Sequence, residues 1–134
     1  MTIHNILQLG PDALRQIGAM GPRDGCGDCR SLHCAGWEAT PSSLDETSLS
    51  LLGTLRHLDQ DSSQATLDEY HPARTSYWSD DAPIAPNYFP YNRCDVWACH
   101  SCGRAFLRYT EYGGYYVEQR IRHLNPKLIV DPDE

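Results

Sequence analysis

The sequence predicts a single α+β domain: short N-terminal helices followed by a C-terminal antiparallel three-stranded sheet with a zinc-ribbon-like four-cysteine site. Three observations predict it: helically spaced apolar residues before residue 58, three β-rich runs after residue 94, and two C-x-x-C pairs. A length of 134 residues suits one domain. We divide the chain into a helical part with the first C-x-x-C pair (1–58), a proline- and aromatic-rich arm (59–93) and the zinc-ribbon-like sheet (94–134).

Residues 11–20 have the pattern of a short helix. Pro11 suits the first helical position, Leu14 and Ile17 share one face, and Gly21 follows as a stop signal. Met20 continues the same spacing of three.

A second helix is predicted immediately after the first C-x-x-C region. Ser43 and Glu46 have the spacing of a capping box, although Gly53 weakens the end of this helix. Its buried stripe would consist of Leu44, Leu51, Leu52, Leu55 and Leu58.

The arm at residues 59–93 has no regular period. Its four prolines prevent a continuous helix, yet its six aromatic residues are too many for a disordered linker. We therefore expect an extended segment that packs over the domain.

The C-terminal third contains three candidate strands. They are the runs CDVWAC, AFLRYTEY and YYVEQRIRHL, and Gly113-Gly114 separates the last two. A Gly-Gly pair between aromatic and β-branched runs indicates a hairpin, because both turn residues can adopt positive φ.

The cysteines fall into two groups that suggest a metal site. Cys26 and Cys29 form one C-x-x-C pair, and Cys99 and Cys102 form the other, with Gly103 allowing the tight turn that follows. Zn²⁺ prefers four tetrahedral ligands, and thiolates are among its best. These four residues are the simplest ligand set for one structural zinc ion whose binding would couple to folding.

Other ligand sets stay open at this point. Cys34 or His33 could replace an N-terminal ligand, and Cys94 could replace a C-terminal one. Two ions would need nearly every cysteine plus His33 or His100. Six reduced, buried thiols are the remaining interpretation, since free cysteine behaves as a small hydrophobe.

Charge and motifs exclude several classes of function. The formal charge of -7 argues against a chain whose main task is to bind phosphate backbones. No apolar run approaches the ~18 residues of a membrane span, and no basic region precedes an apolar N-terminal run, so we expect a cytoplasmic protein without membrane association. HExxH, P-loop and GxSxG patterns are absent, so an enzyme has no support. A zinc enzyme would need one open coordination position.

The alternative to a protein-binding module is a zinc-ribbon nucleic-acid or transcription accessory module. Tyr109, Tyr115 and Tyr116 are interleaved with arginines that could bind phosphate. The arginines concerned are Arg104, Arg108, Arg120 and Arg122.

Most of the chain resembles a group of small bacterial proteins, through the runs CAGWEATPSSLDE, YWSDDAPIAPNYFPYNRC and CDVWACHSCGRAFLRYTEYGGYYVEQRIRHL. Some members look like immunity proteins of polymorphic-toxin or contact-dependent inhibition systems. The resemblance implies a non-enzymatic protein that occludes the active site of a toxin domain.

The charge distribution favours a basic partner, because ten acidic residues but only four arginines lie in residues 1–70. The expected contacts with such a basic toxin domain are Asp45, Glu46, Asp59, Asp61, Asp68 and Glu69.

Overall fold

Five strands form one antiparallel sheet in this computed structural model, which describes residues 7–22, 24–59 and 65–132. The spatial order of the strands is β1-β5-β4-β3-β2. Among the described residues, no helix is both long and apolar enough to cross a membrane. In chain order the elements are α1 (Pro11–Met20), β1 (Glu38–Ala39), β2 (Leu49–Thr54), β3 (Asp95–Cys99), β4 (Ala105–Tyr112) and β5 (Val117–His123).

The predicted α+β fold with a three-stranded sheet is therefore wrong. The described chain is mostly β, with one short α-helix and two strands that the sequence did not predict. Helix α1 has the predicted bounds and buries Leu14 completely. The three C-terminal strands lie in the predicted runs. Residues 113–116 join β4 to β5, and neither Gly113 nor Gly114 has the positive φ expected for a two-residue turn.

The predicted second helix is replaced by one 3-10 turn, Glu46–Ser48, and by strand β2. Asp45, rather than Ser43, caps the turn, because its carboxylate accepts the backbone N–H of Thr47 at 3.0 Å. Strand β2 then pairs with β3, and a bulge between Leu51 and Gly53 shifts the register. Long-range pairing with the sheet thus overrides the helical spacing of the leucines.

Gly53 lies near the end of β2, where the N-terminal segment runs beside this strand and Gln8 forms a parallel bridge with Thr54. A Cβ atom at this position would lie 2.5 Å from the carbonyl oxygen of Leu7. The backbone N–H of Thr54 donates to that same oxygen at 2.9 Å, and the N–H of Leu9 donates to the carbonyl of Thr54 at 2.8 Å. The glycine therefore permits a close backbone approach, not a helix end.

The sheet is covered on both faces. Alternate residues of β4 divide between them: Ala105 and Leu107 join a core with α1, while Phe106 faces the cysteines. We call these the helix face and the cysteine face. Because both faces are covered, the first five residues of β4, Ala105 to Tyr109, are all buried.

Arg122 fixes the arm to the helix face. Its side chain is fully buried and donates to the carbonyl oxygens of Ala35, Asp80 and Ala82 at 3.0, 3.1 and 2.9 Å, and to the hydroxyl of Tyr91. One guanidinium thus satisfies backbone groups of two segments that have no regular structure of their own.

Replacing this arginine tests the arrangement. Arg122→Met leaves several buried acceptors without donors, so we expect it to lower the free energy of unfolding by roughly 3–5 kcal/mol. The matched control is Arg15→Met, which removes an exposed ion pair with Asp12 and should change stability by about 0.5 kcal/mol or less. Denaturant unfolding of both variants measures the difference; equal stabilities would contradict the assigned role.

Candidate metal centre

Four cysteine sulfurs meet at the end of the cysteine face. The Sγ atoms of Cys26, Cys29, Cys99 and Cys102 all lie within 4.8 Å of one another. Cys26 and Cys99 are 3.7 Å apart at sulfur, and so are Cys29 and Cys102. All four are free thiols, because the two sulfurs of a disulfide would be about 2.05 Å apart.

Each C-x-x-C pair sits in a turn that points backbone N–H groups at sulfur. The N–H of Cys26 lies 3.4 Å from the sulfur of Cys29, and the N–H of Arg104 lies 3.5 Å from that of Cys102. Gly103, at which the sequence predicts a tight turn, has φ 84°, in the left-handed region that glycine adopts readily. Such donors stabilise negative charge on sulfur.

Burial and hydrogen bonds shift the thiol pKa values of Cys26, Cys29 and Cys102 in different directions. Burial raises the pKa of the Cys29 thiol to about 12 and also raises the pKa of Cys102. The backbone N–H of Asp28 instead lowers the pKa of Cys26. A cation among the sulfurs would remove this conflict, because a coordinating thiol is deprotonated outright. The group could therefore bind a metal ion.

Two contacts hold the N-terminal turn against the sheet. Arg104 is buried above the Phe106 ring at 4.9 Å and donates to the carbonyl oxygen of Leu32 at 2.7 Å. The hydroxyl of Ser101 donates to the carboxylate of Asp28 at 2.5 Å, which joins the two cysteine turns directly. Neither contact could be predicted, because the partners are 73 and 72 residues apart in the chain and local sequence carries no signal for such a pairing.

The alternative ligands lie outside the four-sulfur group. Cys34 is buried nearby, where burial raises the pKa of its thiol to about 11, and Cys94 is buried in the core of the helix face. His33 is exposed, and Nδ1 of His100 lies 3.2 Å from the carbonyl oxygen of Ser48. The structure thus brings together the simplest of the predicted sets.

The predicted partner contacts are mostly exposed, but two of them already have partners. Glu46 makes two hydrogen bonds of 2.9 Å to Arg108, and Glu69 contacts His71 at 2.8 Å. The other described acids, Asp45, Asp59 and Asp68, are exposed and have no ion-pair partner among the described residues. Asp61 lies outside the described residues.

The structure offers no support for a phosphate-binding surface on the C-terminal arginines. None of the four is more than 9% exposed, and each contacts carboxylates or main-chain carbonyls of this chain. Tyr109 is buried as well, so only Tyr115 and Tyr116 of the proposed stacking residues are exposed. The buried set is Arg104, Arg108, Arg120 and Arg122.

A groove of about 910 Å³ opens on the cysteine face, beyond the sulfurs, and the sequence did not predict it. Trp97 and Arg108 line it, and the arginine lies 5.1 Å from the centre of the Trp97 ring. Strict alternation in the β3 and β4 runs is the signal that would place these two side chains on one face.

Comparison with protein families, with curated proteins and with solved structures gives no match for this chain.

Substitution of single cysteines separates the metal group from the other thiols. Cys102→Ser should abolish stoichiometric metal binding and destabilise the fold, because three sulfurs and a hydroxyl hold the ion poorly. Cys34→Ala is the matched control: it removes a buried thiol outside the group and should leave metal content unchanged. Elemental analysis of the purified proteins measures both. Equal metal content in the two variants would contradict the assignment.

Proposed function

We propose that this protein is a non-catalytic protein-binding module whose fold is stabilised by one structural zinc ion. The observation that carries the zinc assignment is the 3.7 Å separation of the paired sulfurs. Four thiolates at a Zn–S distance of about 2.3 Å would be separated by about 3.8 Å in a regular tetrahedron. Soft thiolate ligands in this geometry favour zinc or iron.

A structural role follows from the donor set. With four cysteine ligands no coordination position is left for water, so the ion would supply no hydrolytic chemistry. The paired sulfurs are 73 residues apart in the chain. Binding would therefore close a long loop and contribute directly to folding. Arg104 would hold the loop that carries the first pair in position for the ion.

We expect zinc removal to unfold the protein, with a defined dependence on pH. Bound thiolates have depressed pKa values, so the stabilisation is present at neutral pH and is lost as protons compete with the ion on acidification. A strong chelator at neutral pH should have the same effect, and readdition of Zn²⁺ should restore the fold. Circular dichroism with elemental analysis measures this. A folded, metal-free protein would overturn the proposal, and iron in place of zinc would overturn the metal assignment.

The partner class we propose is a basic toxin domain, neutralised by occlusion of its active site. The sequence resemblance to immunity proteins and the excess of acidic residues support this proposal. Asp45, Asp59 and Asp68 are exposed and available to a cationic surface. Charged groups at the rim of an interface mainly accelerate association and select the partner.

Charge reversal tests the partner class. The triple variant Asp45→Lys, Asp59→Lys, Asp68→Lys should slow association with the toxin domain encoded beside this gene by about tenfold or more at low salt. Asp12→Lys is the matched control, since Asp12 is exposed on α1 and outside the proposed contacts. Surface plasmon resonance at two salt concentrations measures the rates. Equal rates for the two variants, or a neighbouring gene that encodes no toxin, would contradict the proposal.

A further inference from the structure

Strand β4 is longer than its neighbour β3, which leaves part of one edge open. Asp95, the first residue of β3, pairs with Arg108, whereas β4 continues to Tyr112. The chain before Asp95 does not extend this pairing, because it turns through the 3-10 helix Tyr91–Arg93. The position that a longer β3 would occupy beside the last four residues of β4 therefore holds no strand among the described residues, and we call it the empty line.

The register shows which backbone groups face this empty line. The N–H of Cys99 donates to the carbonyl of Arg104, so Arg104 and every second residue after it face β3. Thr110 and Tyr112 continue this alternation, and neither has a backbone hydrogen bond on that side among the described residues. Their N–H and C=O groups are ready to pair with another strand.

The empty line borders the groove on the cysteine face. Thr110, Tyr112 and Arg93 line that groove together with Leu58 and Trp97. Leu58 is 50% and Tyr112 is 76% exposed. The groove thus offers apolar contacts beside an unpaired strand edge, which is the combination that binds extended peptides by strand addition.

The charged side chains that line the groove indicate which kind of partner residue would bind there. Asp95 is paired with Arg56 at 3.0 Å, and Glu46 is paired with Arg108. Arg93 lines the groove without a carboxylate partner among the described residues, donating to the carbonyl oxygen of Ala65 at 3.2 Å. Its buried Nε atom has no hydrogen-bond partner. Among the described residues, Arg93 is therefore the groove arginine that can pair with the carboxylate of a partner.

We propose that an extended segment of a partner protein, carrying an acidic side chain, adds to β4 as a strand antiparallel to it. A residue opposite Thr110 would point toward the groove, in line with Asp95 and Trp97, and its carboxylate would meet Arg93. This inference rests on the proposed protein-binding function and names its docking site. A second copy of this chain is a poorer occupant, because edge-to-edge pairing would bring a second unpaired Arg93, and not a carboxylate, to the groove.

The test uses blocked synthetic peptides of about seven residues with alternating threonine and valine. Their central residue is glutamate in one peptide and lysine in another, and a third peptide carries glutamate with N-methylated backbone amides. Titration of the isotopically labelled, zinc-loaded protein is followed by NMR up to millimolar peptide. We expect the glutamate peptide to shift the amides of Thr110 and Tyr112 and to bind about fivefold more tightly than the lysine peptide. The N-methylated peptide should not bind.

Protein variants provide the second arm. Thr110→Pro removes an outward-facing N–H without breaking the β4–β5 pairing, and should weaken the glutamate peptide about tenfold. Thr110→Val keeps the N–H and should change affinity by less than about twofold. Arg93→Gln should abolish the preference for glutamate over lysine while retaining binding. The N-methylated peptide keeps the inference testable if the proline variant folds poorly.

Several results would overturn this inference alone. They are the absence of binding at millimolar peptide, equal binding of the N-methylated peptide, amide shifts confined to other elements, or a dimer in solution that Thr110→Pro dissolves. Toxin binding that survives Thr110→Pro would also overturn it while leaving the proposed function intact. Failure of the proposed function would instead appear in the acidic triple variant or in the metal content.

Discussion

The close approach of four cysteine sulfurs is the constraint on which the rest of the structure depends. Paired sulfurs 3.7 Å apart repel each other when both are thiolates, and a cation among them would neutralise that charge. One C-x-x-C pair lies in the loop before β1. In the other, Cys99 is the last residue of β3 and Cys102 lies in the turn that leads to β4. A metal ion bound by both pairs would fasten the N-terminal part of the chain to the sheet and close β1, β2, the arm and β3 into one loop.

Buried arginines also hold irregular segments of the chain against the sheet. Arg104 donates to main-chain carbonyls of the first cysteine loop, and Arg122 donates to those of the arm. Arg120 instead lies against Tyr77 and contacts Glu111 and Glu118. A guanidinium has five donors in a fixed plane, so one side chain can satisfy several carbonyls of an irregular segment that has no ladder of its own. This explains why these arginines are structural and unavailable to phosphate.

Local signals were sufficient for some elements and misleading for others. Helix α1, the β4–β5 hairpin and the grouping of the cysteine pairs follow from neighbouring residues, and each could be predicted. Strand β2 could not, because the spacing of its leucines also suits a helix, and only pairing of Leu49 with Cys99 decides the outcome. The two residues of β1 are a strand only because Glu38 lies opposite Ile121. Partners this distant leave no trace in a single sequence.

The open edge of β4 follows from the way the arm enters the core. The turn at Tyr91–Arg93 directs Tyr91 toward Arg122 and buries Cys94, and in doing so it ends the β3 line at Asp95. Exposed edges are usually protected by lysine, proline or a bulge. Residues 109–117 contain neither lysine nor proline, and the bulge found among the described strands lies in β2, not in β4. The open edge instead ends in a hairpin tip of exposed tyrosines, whose large, rigid side chains are enriched where proteins bind one another.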